Sequence, residues 1–256
     1  MFLFNQIIFG PIHSRRLGLS LGVNLLPVDA KICSFNCIYC ECGFNTTMQE
    51  ATVPNREQVS EALEAKLIEM KAEAQIPDVI TFAGNGEPTL HPHFKEIIED
   101  TIELRNCYCP SAKVSVLSNS TRVHKPEIFK ALKMVDNNIL KFDTAIDSTL
   151  KLMDQPVGKQ QNVAWFIAQL KKFEGNLIIQ TMFLRGNTKG IQIDNTTEEE
   201  VDAWLNALDQ IRPKQVMIYS LDREAPTQNL QKISLEELNV IADKVRNRGF
   251  EVSVAG

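Results

Sequence analysis

The sequence predicts an α/β fold built on a parallel sheet, and two observations lead there. Short apolar runs alternate with longer stretches whose apolar residues recur at helical spacing. That strand-then-helix order repeats six times along 256 residues, which implies right-handed βαβ crossovers between parallel strands. Residues 19–26 alternate weakly and stop at Pro27, a first strand. Residues 57–72 place Val59, Leu63, Leu67 and Met70 on one helical face. Residues 79–83 form a second strand ending at Gly84. A helix over 93–104 turns Phe94, Ile97, Ile98 and Ile102 inward. A third strand (113–117) and helix (126–134) follow, then a strand at 139–142 and a helix at 162–173. The fifth strand is 177–183. Thr197 and Glu200 stand as a capping box opening a helix that ends before Pro213. Residues 215–219 are a sixth strand. Ser234 and Glu237 repeat the box, and Gly249 stops the last helix as a C′ glycine. Residues 251–254 are placed to add a seventh strand.

The chain is expected to be one domain over 1–256, because no repeat, low-complexity tract or linker interrupts it. Apolar residues make up 44% and charged residues 23%, the balance of an ordinary water-soluble protein. No apolar run approaches the roughly 20 residues that cross a bilayer. The opening MFLFNQIIFGP lacks a basic flank and is cut by Gly10-Pro11, so it reads as a buried first segment and not as an export signal. Six cysteines without such a signal point to a reducing cytoplasm and metal binding. A net charge of −5 argues against a broad nucleic-acid-binding face.

Chemistry concentrates in residues 31–43, KICSFNCIYCECG. Cys33, Cys37 and Cys40 follow the pattern C-x3-C-x2-C, with Tyr39 directly before the last of them. Three thiolates on one short loop converge on an inorganic centre but leave it one ligand short. A [4Fe–4S] cluster usually takes four cysteines, so a cluster bound here keeps one iron open, the mark of a reactive centre. A zinc knot using Cys42 as fourth ligand, or free thiols, is the alternative use of the same residues. Cys107 and Cys109 read as free thiols.

The strand ends carry the other unusual segments, and in parallel barrels reactive residues sit at the C-terminal ends of strands. Gly84-Asn85-Gly86-Glu87-Pro88 follows the second strand. Its glycines let backbone approach a ligand, and Glu87 can accept from an ammonium. The plainer reading is a Gly-Pro turn. Ser118 and Asn119 end the third strand, as ligand donors or as a helix cap. Lys141 and Asp143, two apart on the fourth, share a strand face; they meet substrate as catalytic groups or form a mutual ion pair. Gln180 on the fifth strand is a further candidate. Arg15 and Arg16 suit phosphate or carboxylate.

Taken together, the GPIHSRRLG, SLGVNLLP and CSFNCIYC run, the GNGEPTLHP loop, VLSNST and LKFDTAID resemble the radical SAM superfamily. Within it, they resemble a small family of Fe–S oxidoreductases related to the wyosine-synthesis (tRNA imidazoguanosine-forming) enzymes. The resemblance implies a partial (β/α)6 TIM-type barrel and a [4Fe–4S] cluster on Cys33, Cys37 and Cys40. It implies that the open iron binds S-adenosylmethionine (SAM). Tyr39, Gly84, Asn85, Gly86, Glu87, Ser118, Asn119 and Gln180 are then cofactor-binding candidates, Glu87 for the SAM amino group. Asn85 stands where this family usually has glycine. The chemistry implied is reductive cleavage of SAM to a 5′-deoxyadenosyl radical that abstracts hydrogen, fed by a one-electron donor such as flavodoxin or ferredoxin. A tRNA base is the leading substrate, with a small metabolite or peptide next. No cysteine precedes Cys33, whereas the related tRNA enzymes carry upstream cysteines for a second cluster.

Overall fold

Seven parallel strands curl into an open half-barrel in the computed structural model, which describes residues 2–14, 17–45, 52–158, 161–223 and 225–256. An antiparallel hairpin begins the chain: β1 (Ile8–Ser14) pairs with β2 (Gly18–Val23). Then come α1 (Arg56–Ala72), β3 (Val79–Phe82), α2 (Phe94–Tyr108), β4 (Lys113–Ser118), α3 (Pro126–Met134), β5 (Asn137–Lys141), α4 (Asp147–Met153), α5 (Val163–Leu170) and β6 (Ile178–Met182). The chain continues through β7 (Leu184–Thr188), β8 (Ile191–Asp194), α6 (Glu198–Ile211), β9 (Gln215–Tyr219), β10 (Leu230–Lys232), α7 (Leu235–Asn247) and β11 (Val252–Ala255). The main sheet runs β1-β2-β3-β4-β5-β6-β9-β11, and β10-β7-β8 form a separate small sheet. Parallel registry such as Leu21↔Ile80 and Val116↔Asn138 puts all C-terminal strand ends on one rim.

Two apolar clusters follow from strand alternation. The larger lies between sheet and helices and includes Leu63, Phe94, Leu140 and Trp204. The smaller joins Ile139, Ile178 and Met217 with Leu17 and Leu117 on the concave side. Local signals held where their partners were close in sequence. Ser234 with Glu237 forms the expected complete capping box, and Asn55 with Gln58 forms another that the sequence reading did not mark. At Thr197 only half of the expected box exists: its side chain accepts from Glu200 N, but the buried Glu200 carboxylate takes the hydroxyls of Thr144 and Thr149 instead.

The opening segment departs from its expected burial. Phe2 is exposed and Phe4, Ile7, Ile8 and Phe9 are half-buried, because β1 adds to the sheet at its edge instead of threading the core. The expected helix over 162–173 ends in a 3-10 turn at Lys171–Phe173. The short helix α4 and the sheet of β7, β8 and β10 are additions that periodicity did not mark. Arg15 and Arg16 lie outside the described residues.

Candidate functional site

The cysteine loop crosses the rim where β2 ends, and backbone pairing fixes its entrance. Ile32 bridges Gly86 in parallel: Ile32 N donates to Asn85 O at 3.0 Å, and Glu87 N to Ile32 O at 3.1 Å. Buried Lys31 closes the loop by donating Nζ to Gly43 O at 2.7 Å. Asn45 Nδ2 donates to the carbonyls of Cys33 and Phe35, both at 3.0 Å. From the other side the end of α4 receives it. Asn36 N donates to Asp154 O at 2.9 Å, and Ile38 N to Met153 O at 3.0 Å.

Glu87 is the buried hub of the next loop. Its Oε1 accepts from Thr89 N at 3.1 Å, from the Thr89 hydroxyl, and from Ser118 Oγ at 2.8 Å. Its Oε2 accepts from Asn119 N at 2.6 Å. Burial pushes its carboxyl up, and those hydrogen bonds pull it back. Asn119 then reaches the cysteine loop: Nδ2 donates to Cys33 Sγ at 3.4 Å and to Ser34 Oγ at 3.0 Å. One asparagine thus joins three stretches that lie far apart in sequence. Asn85 is fully buried but turned elsewhere, with Nδ2 donating to Phe4 O and Pro27 O, both at 2.8 Å.

Lys141 and Asp143 form an ion pair below the cysteine loop. Asp143 also accepts from the Tyr39 hydroxyl, and from Met182 N at 2.9 Å. The Lys141 ammonium stands 4.4 Å from the centre of the Tyr39 ring and 3.5 Å from Asp154 Oδ1. Asp154 completes this group, accepting from Cys37 Sγ at 3.5 Å and Tyr39 OH at 3.3 Å. Burial raises Asp154 to about 8 against the pull of Lys141. For Lys141 burial acts downward, but Asp143, Asp154 and Cys37 together hold it well above the ordinary lysine value. Gln180 is buried beside Lys141 in sheet registry. Sequence reasoning missed Asp154, Ser34 and Asn45; a lone Asp before Gln155-Pro156 carries no pattern that separates it from a helix end.

The donor set suits an iron–sulfur cluster. All six cysteines are free. Cys33, Cys37 and Cys40 lie on one short loop, where Cys40 N donates to Cys37 O at 3.3 Å. The described residues do not gather three or more His, Cys, Asp or Glu side chains as a site for one metal ion. Cys33 Sγ receives Phe35 N at 3.5 Å besides the Asn119 amide, and N–H donors stabilise a sulfur that carries negative charge when metal-bound. Burial and then Glu87 raise Cys33 to about 11, while a hydrogen bond from Cys42 is the largest influence holding Cys40 down to about 6. Burial lifts Cys37 above the usual thiol range. The buried Cys42 sulfur stands 3.5 Å from Gly84 O.

Comparison with known proteins supplies the family and the fold. The family model described as "Radical SAM superfamily" matches residues 28–190. A UPF0026 protein of Helicobacter pylori is 34% identical over 185 residues, covering 70% of this chain and 57% of its own. A radical SAM methyltransferase structure from Sphaerobacter thermophilus superposes with a TM-score of 0.67 at 12% identity, over 92% of this chain and 65% of that one. The structure of TYW1 with a lysine-pyruvate adduct bound gives 0.62 at 15% identity, over 89% and 73%. At such identities the two structures show the fold: the partial barrel. The chain spans between 32% and 77% of the lengths of the curated relatives it matches.

Proposed function

The chain belongs to the radical SAM superfamily, and from that membership we propose that it abstracts hydrogen from a substrate held at the barrel mouth. It is an enzyme of the class that uses a [4Fe–4S] cluster and SAM. Together those groups supply a 5′-deoxyadenosyl radical by one-electron cleavage of SAM. Cys33, Cys37 and Cys40 are the proposed cluster ligands. Gly84, Gly86 and Glu87, with Ser118 and Asn119, are the proposed SAM contacts nearest the loop, and Tyr39 and Gln180 extend them toward Lys141. Asn85 contributes its backbone. Lys141 and Asp143 hold Tyr39 beneath the loop and keep a compensated charge there, out of water. The observation that carries this reading is Asn119, bonded at once to Cys33 Sγ and to Glu87.

Radical SAM enzymes need a reductant, and we assign that role to a one-electron carrier of the flavodoxin or ferredoxin kind. Among the described residues no helix is long and apolar enough to cross a membrane. We place the enzyme in the cytoplasm, where free cysteines persist, and treat 1–256 as one radical SAM domain. A tRNA base is the leading substrate, supported by the resemblance to wyosine-synthesis enzymes. Protein reconstituted with iron and sulfide under anaerobic conditions is expected to release 5′-deoxyadenosine when given dithionite and SAM. The tRNA of a deletion strain is expected to lack one modified nucleoside by mass spectrometry. Absence of 5′-deoxyadenosine overturns the chemistry; an unchanged nucleoside profile overturns the tRNA substrate alone.

Glu87→Gln tests the proposed SAM seat. The amide presents a donor where Thr89, Ser118 and Asn119 already donate, leaving a buried mismatch of about 1–3 kcal/mol. SAM affinity is expected to fall while iron content stays at the parent level. Unaltered SAM affinity would return this loop to a purely structural turn.

A further inference from the structure

The N-terminal segment builds a wall that the half-barrel otherwise lacks. Asn85, the departure from the glycine pattern, holds it in place. Phe4 N donates to Asn85 Oδ1 at 2.9 Å, and Asn85 Nδ2 donates back to Phe4 O at 2.8 Å, as a neighbouring strand would. Phe2 N donates to Glu41 O at 2.9 Å, tying the same segment to the cysteine loop. Phe4 stacks on Phe9 with ring centres 3.7 Å apart and planes 23° apart. Phe9 in turn lies over Gly22, where an added Cβ would stand 2.1 Å from the ring, so only glycine admits it.

Behind this aromatic pair is a cavity of about 370 Å³, at the lower end of the range for small-molecule sites. Its inner wall carries the Ser20 and Thr81 hydroxyls, 2.8 Å apart. Its mouth carries Glu41, paired with Arg223 at 3.0 Å. Glu41 lies between Cys40 and Cys42, so the cavity opens beside the proposed cluster. None of Gly84, Gly86, Glu87, Ser118, Asn119 or Gln180 lines it. It is therefore a space next to the proposed SAM seat and separate from it.

We propose that this cavity binds a planar heteroaromatic ring as the substrate, packed edge-to-face against the Phe4–Phe9 pair and hydrogen-bonded at its edge by Ser20 and Thr81. The inference rests on the radical SAM reading above and deepens it. An aromatic pair adds edge-to-face attraction for a flat π-system beyond the area it buries. The hydroxyl pair donates and accepts, which suits a ring edge bearing both kinds of group. The same ring chemistry belongs to a free metabolite and to a base presented by RNA.

Isothermal titration of the reconstituted protein with SAM, using guanosine, tryptophan and an unmodified tRNA transcript as probes, tests it. At least one probe is expected to bind saturably. Phe9→Leu is expected to weaken that binding roughly two- to tenfold, and Thr81→Val to weaken it as well, with iron content and SAM binding at the parent level. Binding of a free ring identifies a metabolite; binding of the transcript alone, falling steeply with salt, identifies a base in RNA. The proposal is overturned if no probe binds, or if both variants bind as the parent does. SAM cleavage without ring binding removes this inference alone, whereas ring binding without SAM cleavage removes the radical reading.

Discussion

Replacing Cys37 by alanine is expected to empty the iron centre. Of the three proposed ligands Cys37 alone is buried, so water cannot take its place at the metal. Its sulfur also meets Asp154 and the field of Lys141, and the variant would leave that buried charge group facing a void. Iron bound per chain after reconstitution should fall far below the parent value, and 5′-deoxyadenosine should become undetectable. Cys107→Ala supplies the contrast, since Cys107 is exposed on α2 and should change neither quantity. Cys42→Ala should keep its iron, because Cys42 is a hydrogen-bond partner of Cys40 and not a proposed ligand. Full iron loading in Cys37→Ala would remove the ligand assignment, and loss of iron in Cys42→Ala would bring back a four-cysteine site.

Gly86→Ala should be nearly as damaging without touching a ligand. Gly86 has φ +137°, and an added Cβ would lie 1.8 Å from the carbonyl oxygen of Ile32. That oxygen is backbone, held by Glu87 N at 3.1 Å within the bridge that starts the cysteine loop. It cannot retreat without moving Cys33. Backbone strain and overlap each cost about 1–3 kcal/mol, so thermal unfolding should shift down by roughly 5–15 °C for a chain of this size. Iron retention should fall with it, and SAM affinity should follow. A variant with the parent melting temperature and iron content would mean that the two loops do not depend on each other.

The sequence by itself determined what short-range physics encodes. The spacing of Cys33, Cys37 and Cys40 on one loop, the strand-then-helix order and the capping box at Ser234 each depend on residues a few positions apart. The strand-end segments followed, because parallel crossovers put those ends on one rim whatever the helices contain. Tertiary structure decided everything that needed a distant partner. The half-box at Thr197 exists because Glu200 finds Thr144 and Thr149 across the fold. The opening apolar residues form an edge strand since β2 offers a free edge, and no local pattern distinguishes that from a buried segment. Both readings of Lys141 and Asp143 were legible; their ion pair beneath Tyr39, with Asp154 arriving from α4, was not. Asn85 looked like a flaw in a glycine loop until Phe4 was placed beside it. A side chain's neighbour along the chain is written in the sequence, whereas its neighbour across the barrel is chosen by which buried polar groups can all be satisfied at once.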